Sequence, residues 1–312
     1  MMIRVLRDDD ISGLIRRSDL MREISRCLER LRNSDVQAPA RTVVPADPAT
    51  LEVMPAYDAT TALGVKLIAH SDRNVALGLP LHRAVIMLFD PSTGAPLTLL
   101  NAERLTAERT AAVTAVSTDA LAPAGASRLL IVGAGMQAAT HLRYAELAGH
   151  FGDISIYARR PEAGALMAGL HPQVRVVDDL AAAVSTADVV WCCTSTSEPV
   201  IADEWVTPDT HISSVAIGPE VGPRTVARAT LFAESRAAVL EPFPSGASEY
   251  AGENPASIHE IGGVLDGSDH WRRSTNEITY FKSVGHALFD LAAASLVWDA
   301  AKAQQLGDEI EL

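Results

Sequence analysis

Residues 129–138 read LLIVGAGMQA, and this stretch decides the fold around it. Four apolar residues predict a buried strand, and the glycines that follow lead into a helix-forming segment. Gly133, Gly135 and Ala138 fill the pattern G-x-G-x-x-A, in which the first glycine permits a tight turn. The second glycine lets the backbone approach a pyrophosphate, and the third small residue lets helix and strand pack closely. The stretch therefore predicts a dinucleotide-binding turn, with contacts expected from Gly133, Gly135, Met136, Gln137 and Ala138.

The end of the next predicted strand, ISIYA, bears on the choice of cofactor. About twenty residues after the turn, an acidic residue ordinarily binds the ribose 2′-hydroxyl of NAD. Ala158 stands there, and Arg159 and Arg160 follow it. A guanidinium at this position can pair with the 2′-phosphate of NADP, although two solvated loop arginines would give the same sequence. NADP is therefore favoured, and NAD remains the alternative.

The chain from residue 121 to 285 alternates short apolar runs with longer helical segments. The runs are LLIVG, ISIYA, VRVVDD, ADVVWCCT, HISSVAIG and ATLFAES. Strands separated by helices of ten or more residues indicate βαβ units and a parallel sheet that is covered on both faces. We therefore predict an α/β protein whose residues 121–285 form a Rossmann-type, doubly wound dinucleotide-binding domain.

Residues 1–120 have a different pattern, which predicts a β-rich α+β domain. The runs VKLIAH, AVIMLFD and LTLLN resemble strands, and DPSTGAP between the last two has the residues of a hairpin turn. A helix is predicted over residues 105–122 with Thr106 as its N-cap. Residues 277–305 are predicted as one long helix, and the segment 286–312 as the part that completes this first domain. The acidic tail LGDEIEL is expected to fray.

Composition excludes several classes of partner. The chain of 312 residues has 26 Lys and Arg against 39 Asp and Glu, a net charge of −13, so neither nucleic acid nor an anionic membrane is an expected partner. Its three cysteines lack metal-ligand spacing, so no metal site is predicted, and they suit a reducing compartment. The absence of a signal-peptide pattern and of a long apolar run favours a cytoplasmic location. Open sheet edges in the β-rich domain favour a homodimer.

Four further segments, in this order along the chain, carry a resemblance to a known family. They are GVKLIAHSDRN, DPSTGAPLTLLNAERLTAERTAAVTA, WCCTSTSEPVI and EITYFKSVGHALFDLAAA. With the glycine turn among them, the chain from Arg41 to the last helix resembles the ornithine cyclodeaminase and mu-crystallin family. The resemblance implies one of four activities: a cyclodeaminase, an imine or ketimine reductase, an amino-acid dehydrogenase, or a binding protein without turnover. It also implies a dimer.

The resemblance assigns roles to three cations. Lys66 matches the family lysine at the substrate, and Arg41 and Arg109 match two arginines at the substrate carboxylate. The chemistry is suitable because planar guanidinium groups bind a carboxylate through two parallel hydrogen bonds. A lysine near the reacting carbon can move protons when neighbouring positive charge lowers its pKa. Each cation taken alone would more simply be a surface residue.

The resemblance also assigns residues near the nicotinamide. Thr194, Ser195 and Thr196 end a parallel strand at the edge where such sheets bind ligands. Ser283, Val284 and Gly285 match a segment that closes over the nicotinamide. Glu220 matches the position at which ornithine cyclodeaminases carry an aspartate for the substrate amine, so we expect it to be catalytic with Lys66. Its longer side chain departs from that pattern, because a fixed geometry tolerates little displacement, and an exposed turn glutamate is the alternative.

The sequence thus predicts an NAD(P)H-dependent oxidoreductase that acts on the C–N bond of a small α-imino or α-amino acid. Arg41 and Arg109 would hold the carboxylate, Lys66 would polarise or protonate the substrate, and Glu220 would assist at the nitrogen. Two alternatives remain: an ornithine- or lysine-type cyclodeaminase that uses a bound NAD, and a nucleotide-dependent binding protein without catalysis.

Overall fold

The computed structural model describes residues 2–33, 35–71, 73–149, 151–241 and 247–311. The chain divides into two compact units, one of Met1–Arg109 with His286–Leu312 and the other of Thr110–Gly285. The division falls within the helix Glu103–Leu121, whereas the boundary expected from the sequence was residue 120.

The helices and strands occur along the chain in the following order. The first part contains β1 (Met2–Leu6), α1 (Asp8–Ser12), α2 (Arg17–Arg30), β2 (Val36–Gln37), β3 (Thr42–Ala46), β4 (Ala49–Asp58), β5 (Ala62–Ser71), α3 (Arg73–Ala76), β6 (His82–Phe89), β7 (Pro96–Asn101) and α4 (Glu103–Leu121). There follow β8 (Arg128–Val132), α5 (Met136–Tyr144), β9 (Asp153–Tyr157), α6 (Pro161–Ala168), β10 (Val174–Val177), α7 (Leu180–Thr186), β11 (Val189–Cys192), β12 (His211–Ser214), α8 (Pro223–Arg228), β13 (Thr230–Ala233), α9 (Arg236–Leu240), β14 (Ile258–Glu260), α10 (Ile261–Leu265), β15 (Thr279–Lys282), α11 (Ala287–Gln304) and β16 (Asp308–Glu311).

The first unit is built on a mixed eight-stranded sheet in the order β16-β1-β7-β6-β5-β4-β2, with β3 paired to β4. All its pairs are antiparallel except β1 with β7. Helix α11 packs against β4, β5 and α2. Gly64 on β5 permits this approach, because an added Cβ would lie 2.8 Å from Leu291 Cδ1 and 2.8 Å from the carbonyl oxygen of Met87. A larger residue at this position would force the helix away from the sheet.

The second unit contains an eight-stranded parallel sheet in the order β10-β9-β8-β11-β12-β15-β13-β14. Its central strands β11, β12 and β15 are buried at every position, which explains why β11 is a continuous apolar run rather than an alternating one. The strand order reverses between β8 and β11, so a ligand crevice is expected at the carboxyl ends of these two strands. The predicted fold class, a doubly wound parallel sheet with a β-rich second domain, is confirmed.

Two helix predictions were wrong. Helix α4 begins at Glu103, so Thr106 lies inside it and donates to the carbonyl oxygen of Ala102, while Asn101 Oδ1 accepts from the Glu103 N–H. Residues 277–305 do not form one helix, because β15 occupies Thr279–Lys282. Gly285 then adopts a φ of 84°, and α11 begins only at Ala287.

The prediction that the acidic tail frays was also wrong. Residues 308–311 form β16, which pairs antiparallel with β1 at the edge of the first sheet. Arg4 forms an ion pair with Glu309, and Arg7 pairs with Asp308, so basic residues on β1 and beside it balance the acids. Leu312 lies outside the described residues. Among the described helices, none is long and apolar enough to cross a membrane.

Candidate active site

A buried cluster of charges in the first unit brings together β5, α4 and α11. Lys66 Nζ donates to Asp290 Oδ1 at 2.9 Å, and Arg109 Nε donates to the same oxygen at 2.9 Å. The three side chains are 1%, 2% and 7% exposed for Lys66, Asp290 and Arg109. Asp290 Oδ2 is buried and has no hydrogen-bond partner among the described residues. The cluster is therefore a desolvated arrangement of two cations on one carboxylate.

Burial and neighbouring charge alter the protonation of this cluster. Burial lowers the pKa of Lys66 to about 8; Asp290 opposes this change, and Arg109 and Arg41 add to it. Burial alone would raise the pKa of Asp290, but Arg109 and Lys66 reverse that effect and hold the pKa below its usual value. Lys66 is accordingly a cation at neutral pH whose proton is released far more readily than that of an exposed lysine.

Arg41 is close enough to affect Lys66 and has an acidic partner of its own. Its Nη1 lies 2.9 Å from Oε2 of Glu52 on β4, and both side chains are largely buried. Arg41 immediately precedes β3, which pairs with β4 and so holds the guanidinium beside Glu52. The structure thus brings the three sequence-predicted cations Lys66, Arg41 and Arg109 into one unit.

Sequence reasoning missed the acid of this cluster. Asp290 lies in the apolar helix α11, where it is buried among leucines and alanines. A single carboxylate within such a helix face is a signal, because a buried charge requires a partner. His286, which precedes α11, is buried with a pKa lowered to about 4, chiefly by desolvation. It accepts a hydrogen bond from the Leu288 N–H at 3.3 Å and so caps the helix.

The glycine turn in the second unit has the geometry that a dinucleotide requires. Gly133 has a φ of 130°, and a Cβ there would lie 2.5 Å from the carbonyl oxygen of Cys193, so only glycine fits. A Cβ on Gly135 would meet nothing within 4 Å, and no side chain caps α5 at this residue. The first N–H groups of α5 are thus available to an anion such as a pyrophosphate. Gln137 Oε1, buried beside the turn, has no partner among the described residues. The residues present therefore fit the cofactor that the sequence implies.

The end of β9 contains the alanine and arginines that bear on cofactor choice. Ala158 follows β9 directly and offers no acceptor to a ribose hydroxyl. Arg159 and Arg160 are both exposed, and neither takes part in an ion pair among the described residues. Arg160 immediately precedes α6. Both guanidinium groups are accessible to a ligand at the carboxyl edge of the sheet.

Glu220 is not an exposed turn residue, because it is buried and both oxygens of its carboxylate accept hydrogen bonds. It is 0% exposed, and its Oε1 accepts from the N–H and Oγ1 of Thr194 at 2.8 and 2.6 Å. Its Oε2 accepts from Ser214 Oγ at 2.7 Å and from the Ala216 N–H at 3.4 Å. The carboxylate that the resemblance assigns to the substrate nitrogen thus binds two loops of its own unit.

The remaining predicted cofactor residues lie at the ends of β11 and β15. Thr194 and Thr196 are half-buried and Ser195 is exposed, in the loop that follows β11. Beyond β15, the N–H groups of Val284 and Gly285 donate to Glu234 Oε1 at 2.9 and 3.0 Å. Ser283 Oγ is buried without a hydrogen-bond partner among the described residues. Glu234 is a second residue that the sequence alone did not single out.

The second unit has a Rossmann-type sheet with a dinucleotide turn, and the β-rich first unit holds a buried Lys–Asp–Arg cluster. These two features define a class of nucleotide-dependent proteins. The ornithine cyclodeaminase/mu-crystallin family matches residues 2–305, and the chain belongs to it. The chain is 35% identical over 277 residues to the mouse ketimine reductase mu-crystallin, covering 85% of each protein.

Solved structures extend the comparison. The Δ1-pyrroline-2-carboxylate reductase of Thermococcus litoralis, in complex with NADH and L-proline, superposes with a TM-score of 0.90 at 28% identity, over 99% of this chain and 100% of that one. An archaeal alanine dehydrogenase dimer with bound NAD superposes with a TM-score of 0.89 at 25% identity, over all of both chains.

The buried cluster predicts a large effect of Asp290→Asn on stability. The substitution leaves Lys66 and Arg109 buried without their counter-charge, so we expect the free energy of unfolding in urea to fall by about 3–5 kcal/mol. Lys66→Met in the Asp290→Asn background should recover part of this loss, because it removes one unpaired charge.

Asp299→Asn is the matched control, since Asp299 lies on the same helix and is 66% exposed. It should change stability by less than about 0.5 kcal/mol. A similarly small effect of Asp290→Asn would contradict the buried ion pair.

Proposed function

We propose that this protein is an NAD(P)H-dependent reductase of a small α-imino acid, which in reverse acts as an amino-acid dehydrogenase. The buried Lys66–Asp290–Arg109 cluster is the observation that carries this proposal. It combines a cation for the substrate carboxylate with a lysine of lowered pKa, which are the two groups that an imine beside a carboxylate needs.

Arg109 and Lys66 have different roles toward the substrate. Arg109 directs its Nε to Asp290, and the terminal fork of a guanidinium has the geometry to bind a carboxylate. Reduction of a C=N bond adds a hydride to carbon and a proton to nitrogen, and the Lys66 ammonium supplies that proton. Because Asp290 holds Nζ in place, the donor is oriented before the substrate binds.

The cofactor is a nicotinamide dinucleotide, held by the Gly133–Ala138 turn. When bound in its reduced form, it supplies the hydride. We favour NADP because Ala158 offers no ribose acceptor and Arg159 is accessible to a 2′-phosphate. A cytoplasmic reaction agrees with three buried cysteines that are free thiols.

We favour a reductase over a cyclodeaminase because of Glu220. A cyclodeaminase needs an acid that handles the substrate amine, and the residue at the matching position has both oxygens engaged by Thr194, Ser214 and Ala216. The 35% identity to a ketimine reductase supports the same choice. A binding protein without turnover has no need of a buried lysine with a lowered pKa.

The activity is tested by incubating the protein with NADPH and Δ1-pyrroline-2-carboxylate, or with pyruvate and ammonia as the source of a linear imine. We expect net oxidation of NADPH and formation of the amino acid. The value of kcat/KM should fall above about pH 8, because Lys66 loses its proton there. Lys66→Met should lower kcat/KM by about 10²–10³-fold and abolish this limb.

Lys302→Met is the control, since Lys302 is a surface lysine on α11 that pairs with Asp299. Formation of ammonia and a cyclic amino acid from ornithine or lysine, with catalytic NAD and without net formation of NADH, would contradict the proposed reductase activity.

The preference for NADP is tested by Arg159→Ala. We expect KM for NADPH to rise about tenfold with KM for NADH nearly unchanged, because the lost ion pair is worth roughly 1.4 kcal/mol and only NADPH carries the 2′-phosphate. Arg175→Ala, at an exposed arginine on β10 that pairs with Asp153, serves as the control. Equal weakening of both cofactors would overturn the assignment.

We further propose that the protein is a homodimer through one face of its first sheet. The register of β3 to β7 places on that face the following half-buried or exposed apolar residues: Val44, Leu51, Val53, Pro55, Leu63, Val65, Leu67, Val85, Met87, Phe89 and Leu99. A solvent-facing side of an antiparallel sheet ordinarily alternates to polar residues. An apolar face of this size is typical of an interface, and the archaeal alanine dehydrogenase neighbour is a dimer.

Val85→Glu should therefore give a monomer of 33.1 kDa in light scattering, where the unmodified chain gives twice that mass. Leu166→Glu, at a 76% exposed leucine on α6, should leave the mass of the dimer unchanged. A monomeric unmodified protein at micromolar concentration would contradict the proposal.

A further inference from the structure

The carboxyl edge of the parallel sheet has two halves with different roles toward a dinucleotide. This inference rests on the cofactor of the proposed function. The pyrophosphate turn follows β8, and the ribose position follows β9, so the adenosine half extends over β8, β9 and β10. The nicotinamide half must then extend over β11, β12 and β15, where the strand order continues in the other direction. The loops 194–196, 215–220 and 283–285 follow these three strands.

Glu220 connects two of these loops. Its Oε1 accepts from the backbone and side chain of Thr194, after β11, and its Oε2 accepts from Ser214 and from the Ala216 N–H, after β12. These are hydrogen bonds to a carboxylate, which are stronger than those to a neutral acceptor. The loops also touch directly, because a Cβ on Gly218 would lie 2.5 Å from the carbonyl oxygen of Thr196.

Glu234 holds the third loop in a similar way. It directly follows β13, the neighbour of β15, and its Oε1 accepts from two consecutive N–H groups, those of Val284 and Gly285. The two bonds fix a turn in which Gly285 has a φ of 84°. Glu234 is 1% exposed, so its carboxylate lies in the interior of the unit.

A buried lysine strengthens the attachment of Glu220. Lys282 Nζ donates to Ser214 Oγ and to the carbonyl oxygen of Gly218, both at 2.9 Å, and lies 2.7 Å from Glu249 Oε2. Glu249 Oε1 in turn accepts from the Glu220 N–H at 3.1 Å and from the Tyr280 hydroxyl. The network therefore holds both the backbone and the side chain of Glu220.

We propose that Glu220 and Glu234 are positioning residues for the nicotinamide half of the cofactor. Glu220 fixes the loops after β11 and β12, Glu234 fixes the loop after β15, and neither exchanges a proton with the substrate. Together they keep three strand-end loops rigid, so that little conformational entropy is lost when the nicotinamide binds.

Binding measurements with two probes test this proposal without any substrate. Glu220→Gln and Glu234→Gln each replace an acceptor-only carboxylate with an amide whose NH₂ group opposes the donors around it. We expect each variant to bind NADH and NADPH about 5- to 20-fold more weakly by calorimetry. Binding of ADP-ribose and its 2′-phosphate, which lack the nicotinamide, should change by less than about twofold. Glu204→Gln, at an exposed glutamate of the same unit, is the control.

Ser214→Ala provides a milder variant that removes the bond to Glu220 Oε2 together with the one accepted from Lys282 Nζ, and it should weaken dinucleotide binding about 2- to 4-fold. With an imine substrate, kcat/KM of Glu220→Gln should have the same pH dependence as that of the unmodified protein. Equal weakening of ADP-ribose binding would overturn the proposal, as would a changed pH dependence with unchanged dinucleotide binding. Absence of imine reduction would contradict the proposed function and leave the two-probe comparison as the test of the loops.

Discussion

Asp290 Oδ1 accepts hydrogen bonds from Lys66 and Arg109, and the arrangement of the first unit depends on this one oxygen atom. The partners lie 224 and 181 positions from Asp290 along the chain, so the C-terminal helix has to return to the N-terminal sheet. A buried lysine without a counter-charge would lose its proton at neutral pH, and a buried aspartate without cations would gain one. Lys66 therefore keeps its charge because Asp290 is present, and Asp290 keeps its charge because of the two cations.

The second unit depends on a different feature, the backbone N–H groups at its glycine turn, which suit a large anionic ligand. Gly133 brings the turn close to β11, and Gly135 leaves the start of α5 open. Beyond the point where the strand order reverses, the carboxylates of two buried glutamates accept hydrogen bonds from N–H groups of the loops. The sheet thus has free backbone donors at one strand end, and at the others its buried carboxylates bind the loops.

Much of this architecture could be predicted from local sequence. The glycine turn and the alternation of strands and helices depend on short patterns whose physical meaning is local. The three cations Lys66, Arg41 and Arg109 were found only through the family resemblance, because each taken alone would more simply be a surface residue. Asp290 was missed because helical periodicity identifies the apolar face of a helix and does not predict a charged residue within that face. The break between β15 and α11 was missed because the aromatic residues of β15 lie directly before the alanine- and leucine-rich α11. The turn that separates the two depends on Gly285 in a left-handed conformation. The strand β16 needs the unpaired edge of β1, which the tail sequence alone does not contain.

The role of Glu220 shows a different limit. Position along the chain suggested a residue facing substrate, whereas burial and partners place its carboxylate inside a hydrogen-bond network.

The pKa of Lys66 is the property on which the chemistry of the first unit depends. The chain has three lysines, Lys66, Lys282 and Lys302, so ¹³C NMR of ε-labelled lysine gives three resonances, and Lys66→Met assigns the relevant one. We expect Lys66 to titrate near pH 8; a titration above pH 10, as for a solvated lysine, would contradict the buried Lys66–Asp290–Arg109 cluster.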